Sequence, residues 1–179
     1  ALIGQMKEPL IRKKCPKMDL PPKDWALTGA QGRKPNRLKS LYLQDGELSE
    51  HNWKLHQKYE QMKKEEVRFE SFLTEDAKLI VAAFGSMARV SKSSVELARG
   101  EGMKVGLLRP ITLFPFPEKA FFDLSQQVKL FLTVELNTGQ MVEDVKLSVA
   151  RDAQVYFYGR PPGSLPSPEE VLEEIKKYY

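Results

Sequence analysis

Four nearly continuous apolar runs dominate the hydrophobic pattern of the second half of the chain. They are KLIVAAF (Lys78–Phe84), KVGLL (Lys104–Leu108), KLFLTVEL (Lys129–Leu136) and QVYFYG (Gln154–Gly159). Runs of this length suit strands that are buried on both faces, as in a parallel sheet. The stretches between them are long enough for crossover helices. The pattern therefore predicts an open, mainly parallel α/β fold with three layers, α/β/α.

The loops that follow these runs begin at Gly85, Arg109, Asn137 and Arg160. An open α/β sheet carries its functional residues in the loops at the carboxyl ends of its strands. These four positions are therefore where a functional site is expected.

Capping residues predict where the intervening helices begin and end. Ser86 is a suitable N-cap after the first run, and Gly100 or Gly102 is a suitable end for that helix. Ser167 as a cap and Pro168 at the first helical position predict the start of a terminal helix.

The first part of the chain follows another pattern. Its density of Pro and Lys predicts an extended, basic arm. Apolar residues at alternating steps of four and three then predict a helix from about Leu48 to Glu66. The alternating VRFESFL (Val67–Leu73) favours an edge strand. The expected organisation is an arm at 1–46, a helix and possible edge strand at 47–74, and a compact domain at 75–179.

Composition narrows the compartment and the class of protein. Of the 179 residues, 41% are hydrophobic and 29% are charged, which is typical of soluble globular proteins. No apolar run reaches the length of a membrane span. The single Cys15 excludes an internal disulfide and any all-cysteine metal or iron–sulfur site built from this chain alone. These features fit a reducing, cytoplasmic environment.

The net charge of +4 is concentrated in the arm. A basic arm can bind nucleic acid. Aromatic residues are few there, with Trp25 and Tyr42 nearby, and no nucleic-acid motif follows. We therefore favour an extension that is solvated or covered by a protein partner.

Two pairs of residues are candidates for anion binding. Gly85 and Ser86 lie at a strand-to-helix junction, where backbone N–H groups and the helix dipole attract negative charge. No GxGxxG or GxxxxGK[ST] surrounds them, which disfavours a dinucleotide or P-loop role. Arg109 and Arg160 each end a strand and could bind a carboxylate or phosphate. Ion pairs at an interface or within the domain are the alternative that we favour for both arginines.

A polar cluster after the third run contains Glu135, Asn137, Gly139 and Gln140. A carboxylate at the end of a strand can act as a general base. No paired carboxylate and no Ser/His/Asp set accompanies it in the sequence. We therefore expect polar contacts with a neighbouring domain or subunit, and we assign no catalytic, cofactor-binding or metal-binding residue.

Three stretches resemble the C-terminal part of the alpha subunit of 2-oxoacid:ferredoxin oxidoreductases. They are KLIVAAFGSMARVSKSSVELARGEGMKVGLLRPITLFPFPE (78–118), VELNTGQMVEDVKLSV (134–149) and YFYGRPPGSLPSPEEV (156–171). DWALTGAQGRKPNRLKSLYL (24–43) resembles the stretch that precedes this domain. The likeness is nearest to the 2-oxoisovalerate type, with the 2-oxoglutarate type next, and it implies the fold of the transketolase C-terminal domain.

The resemblance implies a function carried out by a complex. The family oxidatively decarboxylates a 2-oxoacid on thiamine diphosphate, transfers the acyl group to coenzyme A and passes electrons through iron–sulfur clusters to ferredoxin. The sequence has no thiamine-diphosphate signature of the GDG…N kind. We therefore expect thiamine diphosphate, Mg²⁺ and the clusters in other parts of the complex, and we expect this chain to be a piece of the alpha subunit that is inactive alone.

Three hypotheses of function follow. The favoured one is a structural, assembly domain whose strand-end residues Gly85, Ser86, Arg109, Glu135, Asn137, Gln140 and Arg160 contact other subunits. The second is a stand-alone α/β domain that binds an anionic nucleotide or effector at the strand carboxyl ends, at Gly85, Arg109 and Arg160. The third is a nucleic-acid binder with a basic arm.

Overall fold

The structure, a computed structural model, describes residues 16–17 and 19–179. The chain divides into two compact units, residues 1–56 and 57–179. The elements in chain order are α1 (Glu47–Glu65), β1 (Phe69–Phe72), β2 (Leu79–Ala83), α2 (Gly85–Gly100), β3 (Val105–Pro110), α3 (Glu118–Ser125), β4 (Leu130–Glu135), α4 (Met141–Ser148), β5 (Gln154–Gly159) and α5 (Pro168–Tyr178).

The five described strands form one sheet in the order β1-β3-β2-β4-β5. Strands β2 to β5 are mutually parallel, and Val81 in the central strand β2 lies between Leu107 of β3 and Leu132 of β4. Strand β1 pairs antiparallel with β3 at one edge. The predicted α/β class, the mainly parallel sheet and the edge strand are confirmed.

Two apolar clusters, one on each face of the sheet, make up the core. One face of β2 packs with Leu132 of β4 beneath α2 and α5, through residues such as Val90 and Ile175. The other face packs beneath α3 and α4, through Phe121 and Val145. All five residues of β2 are buried, because helices cover the sheet on both sides. This is the predicted three-layer arrangement.

A close backbone approach joins β1 to the parallel sheet. A Cβ atom at Gly106 in β3 would lie 2.6 Å from the carbonyl oxygen of Leu73, so glycine is required there. The same carbonyl accepts a 2.7 Å hydrogen bond from the guanidinium of Arg99. Arg99 also donates to the carbonyl oxygen of Val105 at 2.7 Å and pairs with Asp76 at 2.7 Å. One side chain thereby holds the turn after β1 against the start of β3.

The start of helix α2 differs from the prediction. Ser86 was expected to cap it, but the helix begins at Gly85, and no side chain caps its first turn. The chain leaves β2 through Gly85 with φ +56°, a conformation that other residues rarely adopt. Because the turn closes at the glycine, Ser86 lies inside the helix. The cap of α5 is as predicted: Ser167 and Glu170 form a reciprocal capping box.

The predicted arm is described only in part. Residues 1–15 and 18 of the predicted arm, Cys15 included, lie outside the described residues. Among the described residues from 16 to 46 there is no helix or strand. Asn36 closes a loop there by donating to the carbonyl oxygens of Asp24 and Ala26. No helix in the described part of the chain is long and apolar enough to cross a membrane.

Candidate functional site at the carboxyl edge of the sheet

The carboxyl ends of β2 to β5 lie along one edge of the sheet, because these strands are parallel and in register. We call the residues at this edge the rim: Gly85, Ser86, Arg109, Glu135, Asn137, Gln140 and Arg160. Helix α2, after β2, covers one face, and α4, after β4, covers the other. The loops after β2 and β4 thus diverge at a topological switch point, where open α/β sheets bind ligands or partners.

Glu135, the last residue of β4, is the most highly connected side chain of the rim. Only 1% of it is exposed. Its Oε2 atom accepts hydrogen bonds from the backbone N–H groups of Gln140 (3.3 Å) and Met141 (2.9 Å), and Oε1 accepts from the N–H of Val142 (2.9 Å). Asn137 donates a fourth bond from its side-chain amide, at 3.0 Å. The carboxylate therefore caps the N-terminus of α4.

This capping arrangement explains how a charged group can lie inside the domain. No local side chain caps α4, whose N-cap residue is Gln140. The first N–H groups of a helix lack partners within it, and the helix dipole favours negative charge at that end. All four hydrogen bonds to the carboxylate come from donors of its own chain. Glu135 thereby holds the loop that carries Asn137 and Gln140, and its part in an interface stays a prediction.

The loop between β4 and α4 is fixed by its own hydrogen bonds. Asn137 accepts a 2.7 Å bond from the N–H of Gly139 while its amide donates to Glu135. Thr138 and Gln140 are exposed. The side chain of Gln140 makes no hydrogen bond to the described part of the chain. Gln140 and Thr138 are therefore the exposed side chains of this loop.

Arg109 and Arg160 are carried by strands β3 and β5, which are not neighbours in the sheet. Strands β2 and β4 lie between β3 and β5, and three strand spacings amount to about 14 Å. Arg109 pairs with Glu70, its opposite residue on β1, at 2.9 Å. Arg160 pairs with Glu170 of α5 at 2.6 Å. Both arginines form intradomain ion pairs, which belong to the alternative that we favoured, and a joint anion site stays a prediction.

The ion pair at Arg160 changes the acidity of its partner. The pKa of Glu170 is lowered from its ordinary value, first by the hydrogen bond from Arg160 and then by the backbone N–H of Ser167. The pKa of Arg160 is raised in turn, chiefly by the hydrogen bond to Glu170. This pair ties the loop after β5 to the start of α5.

Gly85 and Ser86 begin α2 directly after β2, the strand that pairs with β4. Gly85 is exposed and Ser86 is half-buried. Neither arginine of the rim is carried by β4. Arg109 is on β3, the neighbour of β2 on its other side, and Arg160 follows β5. The anion-binding role of this pair stays a prediction.

Metal-binding and catalytic sets are not evident at the rim. Within residues 16–17 and 19–179, no group of three His, Cys, Asp or Glu residues could hold a metal ion. The sequence reasoning missed the cap that Glu135 supplies. The signal was present: GQMVEDV begins a helix without Ser, Thr, Asp or Asn at its N-cap, six residues after a strand-end carboxylate.

The fold and the rim define an open, three-layer α/β domain of the transketolase C-terminal kind. One solved structure with this fold is a split-gene transketolase (TM-score 0.51, 14% identity, covering 62% of this chain and 41% of the other). Another is the 2-oxoglutarate:ferredoxin oxidoreductase of Magnetococcus marinus (TM-score 0.65, 19% identity, covering 76% of this chain and 24% of the other). At these identities the likeness concerns the fold alone.

The particular family follows from residues 77–171, which match the model of pyruvate:ferredoxin oxidoreductase core domain II. The chain belongs to that family, and the resemblance seen in the sequence is confirmed. Ketoisovalerate oxidoreductase subunit VorB of Methanothermobacter marburgensis is 39% identical over 99% of this chain, and that of Methanothermobacter thermautotrophicus 40% over the same share. 2-Oxoglutarate synthase subunit KorA of Archaeoglobus fulgidus is 37% identical over 62% of this chain and 30% of its own length.

The chain spans about half the length of the VorB relatives, 50% in each case. The match to VorB extends over the arm and helix α1 as well as the compact domain. The relatives of this chain are subunits of 2-oxoacid oxidoreductases.

Proposed function

We propose that this chain is a structural, assembly domain of the alpha subunit of a 2-oxoacid:ferredoxin oxidoreductase. The observation that supports this most directly is the state of Glu135. The strand-end carboxylate at the switch point, where a catalytic group would be expected, is engaged by four donors of its own chain. Around it, Thr138 and Gln140 are held outward on a fixed loop. Such a surface is suited to binding another subunit.

The reaction of the whole complex would be the oxidative decarboxylation of a 2-oxoacid to an acyl-CoA, with reduction of ferredoxin. The VorB relatives act on ketoisovalerate by their names, so a branched 2-oxoacid is the substrate class that we propose. The complex would work in the cytoplasm. Ferredoxin would meet this chain only indirectly, through the cluster-bearing subunits.

Thiamine diphosphate, Mg²⁺ and iron–sulfur clusters would be bound elsewhere in the complex. In support of this, no group of three His, Cys, Asp or Glu residues within 16–17 and 19–179 could hold a metal ion. This chain would take no direct part in the catalytic steps. The role of its residues would be to position the rim for assembly of the complex. Glu135 fixes the loop before α4, and the rim presents that loop to a partner.

We also propose the boundaries 1–46 for the arm, 47–74 for the helix and edge strand, and 75–179 for the compact domain. The arm would be covered by a partner in the complex. The described residues 16–17 and 19–46 have almost entirely exposed side chains, among them Trp25 and Leu27. Exposed apolar side chains in such numbers are typical of interaction segments.

The test is an activity assay on the isolated chain. It is incubated with a branched 2-oxoacid, thiamine diphosphate, Mg²⁺, coenzyme A and a viologen dye. We expect no dye reduction by the pure chain, and dye reduction once the complete complex is assembled. Reduction by the pure chain would overturn the proposal. Saturable binding of a nucleotide to the lone chain would support the stand-alone alternative, and salt-dependent retention on DNA would support the third.

A further inference from the structure

An apolar groove of about 680 Å³ lies on the outer side of the β3–α3 loop. Its floor and walls come from the segment before β1, from β1 itself and from the loop LFPFP at residues 113–117. Charged residues of α1, α3 and α4 form its margin. No residue of the predicted rim lines it, so this groove is separate from the site described above.

The walls of the groove are held in place without an occupant. Thr112 accepts a 3.0 Å hydrogen bond from the N–H of Arg68 and donates one of 2.8 Å to the carbonyl oxygen of Pro115. Phe116 stacks on the buried Phe121, with ring centroids 5.2 Å apart. Because the loop is tied on both sides, binding would cost little ordering entropy.

Large apolar side chains in the groove are only half covered. Phe69 is 44% exposed, Leu113 45% and Phe114 57%. The Phe114 ring contacts Tyr59 of α1 edge-on, at 5.8 Å between centroids, which fixes its orientation. A contiguous exposed apolar surface next to a concave one is typical of a binding site, and aromatic anchors carry much of the energy of interfaces.

The charges at the margin are unbalanced. Lys63 pairs with Glu60 at 2.8 Å and Lys119 pairs with Asp123 at 2.7 Å. In residues 16–17 and 19–179, by contrast, neither Glu118 nor Asp144 takes part in an ion pair, and Glu118 has only a longer-range Coulombic attraction to Lys63. The two carboxylates lie in the first turns of α3 and α4, which lowers the cost of leaving them charged.

We infer that this groove binds a segment of another subunit of the oxidoreductase, one that carries apolar side chains together with a Lys or Arg. The apolar side chains would lie against Phe69, Leu113 and Phe114. The cation would pair with Glu118 or Asp144. This inference rests on the proposed function, because it takes the partner to be a subunit of the same complex.

Charge excludes several other occupants from the proposal. Nucleotides, phosphorylated cofactors, nucleic acid and anionic lipid would each place negative charge beside Glu118 and Asp144, neither of which forms an ion pair in the described residues. An apolar segment without a cation would bury Asp144 with no cation beside it and Glu118 with only the distant Lys63, which is costly. A peptide segment with both apolar and basic side chains matches the apolar floor of the groove and the carboxylates at its margin.

Photo-crosslinking in the intact complex tests the occupant. A benzophenone amino acid replaces Phe114 in the full chain, the complex is assembled and irradiated, and the adduct is mapped by mass spectrometry. We expect an adduct on another subunit, in a peptide that bears a Lys or Arg close to the crosslinked residue. Adducts on the same polypeptide, on a second copy of it or on a peptide without a cation would each overturn the inference, as would the absence of any adduct. The same probe at Leu147, which is 86% exposed and does not line the groove, is the control.

A charge-removal series tests the margin. We expect Glu118→Gln with Asp144→Asn to weaken binding of the subunit identified by the crosslink about tenfold and to flatten its salt dependence. Glu143→Gln is the matched control: Glu143 shares the first turn of α4 but does not line the groove, and it pairs with Lys146. Affinity that changes equally in the two proteins, at equal melting temperature, would contradict the role of the margin.

Failure of this inference can be distinguished from failure of the proposed function. If no groove adduct forms while substitutions at the rim still weaken assembly, this inference is wrong and the proposed function stands. If rim and groove variants both leave assembly unchanged, the proposed function is wrong as well.

Discussion

The carboxylate of Glu135, at the end of β4, accepts a 2.9 Å hydrogen bond from the backbone N–H of Val142, in the first turn of α4. This bond joins a buried strand to the helix that covers it and closes the loop between them. It also places a charged side chain inside the domain for a structural purpose. The rim is therefore held by a group that looks catalytic in the sequence.

Replacing Glu135 with Gln should lower the free energy of unfolding. The amide keeps one acceptor oxygen but directs N–H groups toward backbone N–H donors. Leaving such buried donors unsatisfied costs about 1–3 kcal/mol. Urea unfolding measures the difference. Glu143→Gln, an exposed change in the same helix, should stay within about 0.5 kcal/mol. Equal stabilities of the two variants would refute the capping role.

Gly106→Ala should destabilise the sheet at the junction of β1 and β3. The added Cβ would lie 2.6 Å from the carbonyl oxygen of Leu73, a contact with backbone that has to shift. Forcing a group into a packed site costs about 1–3 kcal/mol. Gly100→Ala is the control, since a Cβ there meets nothing within 4 Å and alanine favours the helix. A loss of stability in the Gly100 variant but not in the Gly106 variant would contradict the packing described.

The pair of Glu170 and Arg160 predicts a pH dependence. The folded pKa of Glu170 is lowered, so its contribution to stability is present above the ordinary carboxyl pKa of 4.5 and is lost as the pH falls through the lowered value. Arg160→Ala should therefore raise the pKa of Glu170 in a carbon-detected NMR titration. It should also reduce the loss of melting temperature on acidification. An unchanged titration of Glu170 would show that Arg160 is not its main partner.

Trypsin should cut the isolated monomer first in the arm. Lys17, Lys23 and Arg37 are exposed and lie outside any helix or strand. Lys92 and Lys119 are also exposed but belong to α2 and α3, so they serve as internal controls. Mass spectrometry over time should show arm fragments before any cut within residues 75–179. Simultaneous cutting at all five sites would argue against the proposed boundaries.

The strands of the compact domain could be predicted because burial on both faces leaves continuous apolar runs. LIVAA of β2 and LFLTVE of β4 are such runs in the sequence and strands in the structure. The start of the terminal helix α5 could also be predicted, because both residues of its capping box, Ser167 and Glu170, lie within four residues of the sequence. Local chemistry of this kind is visible without knowledge of the fold.

Features that depend on strand order could not be predicted from the sequence. Arg109 and Arg160 look equivalent along the chain, but the order β1-β3-β2-β4-β5 separates them and gives each its own glutamate. The cap at α4 comes from Glu135, which the preceding strand brings to the helix. Ser86 does not cap α2, because the backbone turns at Gly85 and the helix already begins at that residue. Each of these outcomes depends on tertiary geometry.

The most direct test of the assembly role is the double variant Thr138→Ala with Gln140→Ala in the reconstituted complex. Both side chains are exposed in this chain, so the fold should be unaffected. If a partner buries them, losing a hydrogen-bonding group costs about 1–3 kcal/mol, or roughly a 5- to 150-fold loss of subunit affinity. Turnover per assembled complex should be kept, and Arg151→Ala, at the opposite edge of the sheet, should leave affinity unchanged. Normal subunit affinity with abolished turnover would contradict the account and place the loop after β4 in an active site.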